Sequence, residues 1–99
     1  PTLKPFAKLQ EGNTAFQNEL DDKALANYEL VIKELESKQY DEDEKGYLMQ
    51  AYKNAGYIYW GSKKDLTTAQ PYFEKLIKLD PNNSLAKKAL GLDEEKQAQ

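Results

Sequence analysis

The sequence predicts an all-α fold, about five helices arranged as antiparallel hairpins in a single domain, residues 1–99. Three observations carry that reading. Apolar residues recur at helical spacing in five stretches, among them Ala24, Tyr28, Val31 and Leu35, and Ala69, Phe73, Leu76 and Ile77. A small residue lies on each of two successive helices where their backbones would meet, Gly12 with Ala24 and Gly56 with Ala69. Finally, Asp80-Pro81-Asn82-Asn83 ends one apolar pattern with strong turn chemistry.

Taken in order, Phe6, Leu9, Ala15, Phe16 and Leu20 mark the first helix, with Gly12 at a close approach. Asp21-Asp22 is expected to cap the second helix and to supply negative charge to its start. Ser37–Tyr47, reading SKQYDEDEKGY, is expected to make a longer, mobile and dispensable connection, because it is charged and contains Gly46, and to extend the third helix N-terminally, with Asp41–Glu44 suited to the positive end of that helix. Asp41, Asp43 and Gly46 do not make a calcium loop, since Lys45 and Tyr52 stand where oxygen ligands are required. Leu48, Ala51, Tyr52, Ala55, Ile58 and Tyr59 form one face of the third helix. The fourth is expected to begin at a Thr67-x-x-Gln70 capping box, which puts Pro71 in its first turn. Ser84–Gln97 reads as a fifth helix with a charged tail.

Composition narrows the function. With 31% charged and 39% apolar residues, and no apolar run approaching the roughly 18 residues of a membrane span, the chain is expected to be a water-soluble fold that does not insert in membranes. A net charge of −3 without a basic stripe argues against nucleic acid. All 14 basic residues are lysine, so no guanidinium is present to fork onto a carboxylate or phosphate. There is no cysteine and no histidine, which removes thiol chemistry, disulfides and the commonest metal ligands and general bases. The neighbouring acids Glu94-Glu95 and Asp41–Glu44 read as solvated faces or helix caps, not as an acid–base pair. No catalysis, cofactor or metal is expected. The opening Pro-Thr-Leu-Lys-Pro reads as a trimmed start, so it says nothing of a signal peptide, and the compartment stays unassigned.

Tyr52–Asn83 resembles the tetratricopeptide repeat, W-x2-L-G-x2-Y…A-x3-F…P. Tyr52 stands for the first aromatic, Ala55-Gly56 for Leu-Gly, Tyr59 for the second aromatic, Ala69 for the packing alanine, Phe73 for the phenylalanine and Pro81 for the terminator. It departs at Ala55, and in the turn Gly61–Leu66, which is one residue longer than the pattern. On this resemblance residues 3–37 are a more degenerate first repeat, 38–47 an acidic connection, 48–83 the second repeat and 84–97 a capping helix. Gly12 to Gly56 is 44 residues, where a plain array would show 34.

The resemblance implies a right-handed superhelix whose concave wall, built from the first helix of each repeat, binds a peptide segment of a partner protein. Phe6, Leu9, Asn13, Phe16 and Gln17 would face that groove from the first helix, and Gln50, Lys53, Asn54, Tyr57 and Trp60 from the third. Leu85, Lys88 and Leu92 would do so from the fifth. Tyr57 and Trp60 are three apart and lie beside the core stripe, the make-up of a recognition hot spot. One branch of the family clamps C-terminal carboxylates with two asparagines and three cations. Asn13 and Asn54 coincide with its asparagines, but Leu9, Leu85 and Ala89 replace the cations, so a mixed apolar and amide-bonding peptide is expected instead. The alternative is a structural role, as a terminal part of a longer array or a self-associating homo-oligomer.

Overall fold

The computed structural model describes residues 3–92. It contains helices α1 (Leu3–Gln17), α2 (Asp21–Glu36), α3 (Glu42–Tyr57), a π turn over Ile58–Ser62, α4 (Leu66–Leu79) and α5 (Ser84–Ala89). There is no strand among the described residues, so the class is all-α. Each helix packs on the next in the chain, and α1 also meets α3. The result is an elongated body of 47 × 29 × 19 Å.

Local chemistry explains most of the boundaries. At the end of α1, Leu20 N–H donates to the Ala15 carbonyl at 2.8 Å and Glu19 N–H to the Phe16 carbonyl at 3.1 Å. This is a Schellman turn with Glu19 at φ +60° in the place that glycine usually takes. Asp21 and Asp22 sit inside the first turn of α2, and the residue before it is Leu20, which makes no side-chain cap. They serve the helix dipole, not as the expected cap.

The acidic connection extends the third helix N-terminally, as expected, and residues 42–47 of it are helix. Asp41 Oδ1 accepts from Glu44 N–H at 2.8 Å, and Glu44 Oε1 accepts from Asp41 N–H at 3.1 Å, a complete capping box at the start of α3. Glu44 is only 2% exposed and takes a further bond from Lys38 Nζ at 2.8 Å. The link proper is therefore Ser37–Asp41, and α3 starts six residues before the boundary expected at 48.

Similarly, α4 begins two residues earlier than the Thr67 box implied. Asp65 caps it, accepting from Thr68 N–H at 3.1 Å and from the Thr68 hydroxyl at 2.6 Å. Pro71 consequently lies in the second turn, on the exposed side, where the Thr67 carbonyl that loses its helical donor can be met by water. Asn83 caps α5 through Ala86 N–H at 3.0 Å. A second Schellman turn ends that helix, with Leu92 N–H on the Lys87 carbonyl at 2.7 Å and Gly91 at φ +74°. The fifth helix thus stops short of the expected Gln97, whose last residues, 93–97, lie outside the described ones.

The core runs along the hairpins. Tyr28, Val31 and Leu35 of α2 are fully buried, together with Ala51, Ala55 and Ile58, and Ala69 and Phe73 of α4. Each such leucine, valine or phenylalanine contributes about 1.5–3 kcal/mol on burial. Gly56 faces the Phe73 ring of α4: a Cβ there would lie 3.0 Å from Phe73 Cζ. No described helix is long and apolar enough to cross a membrane.

Candidate functional site

Along the seam of α1 and α3, three pairs of side chains meet at one constant register. Phe6 lies against Tyr47 with ring centroids 5.4 Å apart, and Phe16 meets Tyr57 edge-on at 6.0 Å. Between them Asn54 Nδ2 donates to Asn13 Oδ1 at 3.1 Å. Each pair is 41 residues apart in sequence, so the two helices run side by side in step. The resulting strip reads aromatic pair, amide pair, aromatic pair.

Tyr28 locks the amide pair from below. Its hydroxyl donates to Asn13 Oδ1 at 2.6 Å and accepts from Asn54 Nδ2 at 3.1 Å. Burial pushes the Tyr28 pKa up, against the opposing pull of the Asn54 bond, so the hydroxyl stays a neutral donor at physiological pH. The opposite ends of the two amides, Asn13 Nδ2 and Asn54 Oδ1, make no hydrogen bond among the described residues. No buried side-chain nitrogen or oxygen lacks a partner among the described residues, so neither of these ends is sealed from solvent. One presents a donor and the other an acceptor.

The remaining expected site residues divide. Gln17, Gln50, Lys53 and Lys88 are exposed, and Tyr57 is 42% exposed. Phe16 is half-buried and Phe6 sits at 37%. Leu9, expected in the groove, is instead core at 2% exposure. Trp60 also departs from expectation. It lies in the π turn, half-buried, with its ring edge-on to Phe73 at 5.8 Å, and so joins the interior of the second hairpin while Tyr57 meets α1. Leu85 is half-buried against the core, and Leu92 is exposed.

A second polar cluster, at the junction of α2, α3 and α4, was not anticipated. The Tyr52 hydroxyl donates to Glu36 Oε2, which also accepts from Lys75 Nζ at 3.1 Å. Lys75 lies 5.9 Å over the Tyr52 ring. Burial and the adjoining carboxylate raise the Tyr52 pKa. Burial disfavours a charged Glu36, but the bonds from Tyr52 and Lys75 outweigh it and hold the carboxyl below its ordinary value. Tyr72 donates to Glu29 and stacks on Tyr59 at 5.7 Å. These bonds fasten α2 of the first hairpin to α3 and α4 of the second.

No group of three or more acidic, histidine or cysteine side chains among the described residues is placed to hold a metal ion. Comparison with protein-family models, with curated proteins and with solved structures finds no match to this chain.

Proposed function

We propose that this chain is a non-enzymatic, tetratricopeptide-like binding module that holds a peptide segment of a partner protein along the α1–α3 seam. What supports the reading most is the strip itself: two aromatic pairs flank two amides whose outward ends are not sealed from solvent. Aromatics offer large contact area at small entropic cost, and an amide donor beside an amide acceptor matches one peptide unit. A rival reading, a structural unit within a longer array, draws on Leu20 and Leu30, each 50% exposed on the first hairpin. Leu30 borders a cavity of about 250 Å³ with Pro5, Lys8 and Lys33, a face on which another repeat could pack.

The test is selection of a displayed library of random twelve-residue peptides on the wild-type protein. Selected peptides are then measured against Tyr57→Ala and Lys53→Ala, both exposed positions. Binding reduced at least tenfold by Tyr57→Ala supports the groove. Peptides indifferent to both substitutions would rule it out and leave the structural reading.

A further inference from the structure

The first hairpin holds a cavity of about 250 Å³ at the end away from its turn. Lys4, Pro5 and Lys8 line it from the N-terminal half of α1, and Leu30, Lys33 and Glu34 from the C-terminal half of α2. Within each helix these residues are three or four apart, so they share a face. Pro5 is fully buried, and Leu30 is 50% exposed beside it. Ser37 completes the lining, but its hydroxyl already donates to the Glu34 carbonyl at 2.8 Å.

Charge and size select what fits there. Three of the seven lining residues are lysines and one is an acid, in a chain whose net charge is −3. Lys4 and Lys33 make no ion pair among the described residues, and Lys8 meets only Glu11, at 3.9 Å. The carboxylates one turn to either side of Lys33 are engaged on α3 and α4: Glu29 accepts from Tyr72, and Glu36 from Tyr52 and Lys75. Another repeat packed over this cavity would desolvate ammoniums that only Glu34 offsets, whereas an anion neutralises them. A phosphate dianion suits the wall less than a monoanion does, because Glu34 repels it more and no arginine is present to fork onto it. A cavity of about 150 Å³ admits a benzene ring, and drug-sized ligands fill about 300–1,000 Å³, so this one suits a short hydrocarbon body with a single charged end.

We propose that the cavity at the open end of the first hairpin binds a small monocarboxylate with an apolar body, of the medium-chain fatty acid kind. The carboxylate is held by the Lys4, Lys8 and Lys33 ammoniums, and the hydrocarbon lies on Pro5 and Leu30. This site is separate from the α1–α3 seam, so it stands whether or not a peptide binds there.

The probe is octanoate, titrated into the whole protein while backbone amide shifts are followed by NMR, with octanol, octylamine and octyl phosphate for comparison. Octanoate should move the amides of Lys8, Leu30 and Lys33, and bind about fivefold or more tighter than each of the other three. Leu30→Asp and Lys33→Glu, both at exposed positions, should each weaken octanoate about fivefold or more while the rest of the spectrum keeps its folded dispersion. Lys53→Glu makes the same charge change outside the cavity and should leave octanoate binding as it is. Equal or tighter binding of any comparison compound, shifts centred elsewhere, or no binding of octanoate overturns the proposal. Sedimentation of the protein alone covers the remaining occupant. A dimer that dissociates on Leu30→Asp would put a second copy over the cavity and overturn the proposal as well.

Discussion

The two hairpins solve the same packing problem with one atom's difference. In α1–α2 the glycine faces Tyr28, where a Cβ on Gly12 would come within 2.8 Å of the ring and 3.3 Å of Asn27 Cβ. In α3–α4 the glycine faces Phe73, and a Cβ on Gly56 would stand 3.0 Å from that ring. Both aromatics are fully buried. Phe73 ends at its ring and is met by the Trp60 edge, whereas Tyr28 carries a hydroxyl through the core to Asn13 and Asn54. One hairpin is closed on itself; the other is wired to the α1–α3 seam.

The turns differ by one residue in the same way. The first is an ordinary Schellman turn, with Leu20 bonded five residues back to Ala15. In the second, Lys63 bonds five back to Ile58 and Asp65 six back to Tyr59, at 2.7 Å, with Lys64 at φ +56°. The additional residue noted in Gly61–Leu66 is absorbed as a π turn, a common way for a helix to accommodate one insertion. It also explains Trp60: the wider turn carries the indole toward Phe73, whereas helical spacing continued from Tyr57 had placed it on the groove wall.

The largest way to break the parallel is to fill the glycines. Gly12→Leu and Gly56→Leu are each expected to cost about 1–3 kcal/mol or more through overpacking. Alanine discriminates between them. It gains about 1 kcal/mol of helix propensity over glycine, which should nearly offset the softer contact at Gly56 but not the double contact with Tyr28 and Asn27 at Gly12. Urea unfolding should therefore rank Gly12→Ala clearly below Gly56→Ala. The reverse order would mean that the Tyr28 ring yields more readily than Phe73.

Exchange of the aromatics sharpens the comparison. Tyr28→Phe removes the hydroxyl that serves both amides and is expected to cost about 1–2 kcal/mol, with altered side-chain NH2 resonances of Asn13 and Asn54 by NMR. Phe73→Tyr should cost a similar amount for a different reason, a hydroxyl in a site with 0% exposure and no polar contact found for Phe73. If Tyr28→Phe left the amide resonances unmoved, the two asparagines would not be wired to the core as described.

These contrasts show how far the sequence could be read. The repeat resemblance, not the helical period, set Asn13 and Phe16 beside Asn54 and Tyr57, and the structure brings these side chains together along the α1–α3 seam. Period says nothing of a third partner, so the bond of Tyr28 to both asparagines was not foreseen. Leu9 was misplaced because it lies at the margin of the core stripe, where about 40° of rotation decides burial. In the acidic stretch, charge pointed to an N-terminal extension of the third helix but not to where it starts; the Asp41-x-x-Glu44 capping-box signature sets that point.

That stretch makes a pH prediction. The Lys38 ammonium, followed by the Asp41 backbone N–H, holds the Glu44 carboxyl below its ordinary value. A group with a depressed folded-state pKa stabilises above its unfolded value, near 4.5, and loses that contribution as pH falls through the folded value. Wild type should therefore lose thermal stability between about pH 5 and pH 3, and Glu44→Gln should be less stable at pH 7 but flatter across that window. Identical slopes would place the acid sensitivity elsewhere, with Glu36 the next carboxylate to examine.

The smallest expected effect separates the two turns themselves. Glu19 and Lys64 both adopt a left-handed conformation, which costs an L-residue about 1 kcal/mol relative to glycine. Glycine also adds unfolded-chain entropy, so the net gain from substitution is expected to be about 0.5 kcal/mol. Glu19→Gly has only that gain to show, since Glu19 is exposed and no side-chain bond of its own is found. Lys64→Gly acts on the turn that already contains an additional residue, where a freer backbone could let the π turn relax toward α-helical bonding. If the π turn is held by core packing of Ile58 and Trp60, the two variants should raise the urea midpoint equally with unchanged m-values. If it is held by the turn residue, Lys64→Gly alone should shift the Trp60 emission, because the indole would rotate away from Phe73.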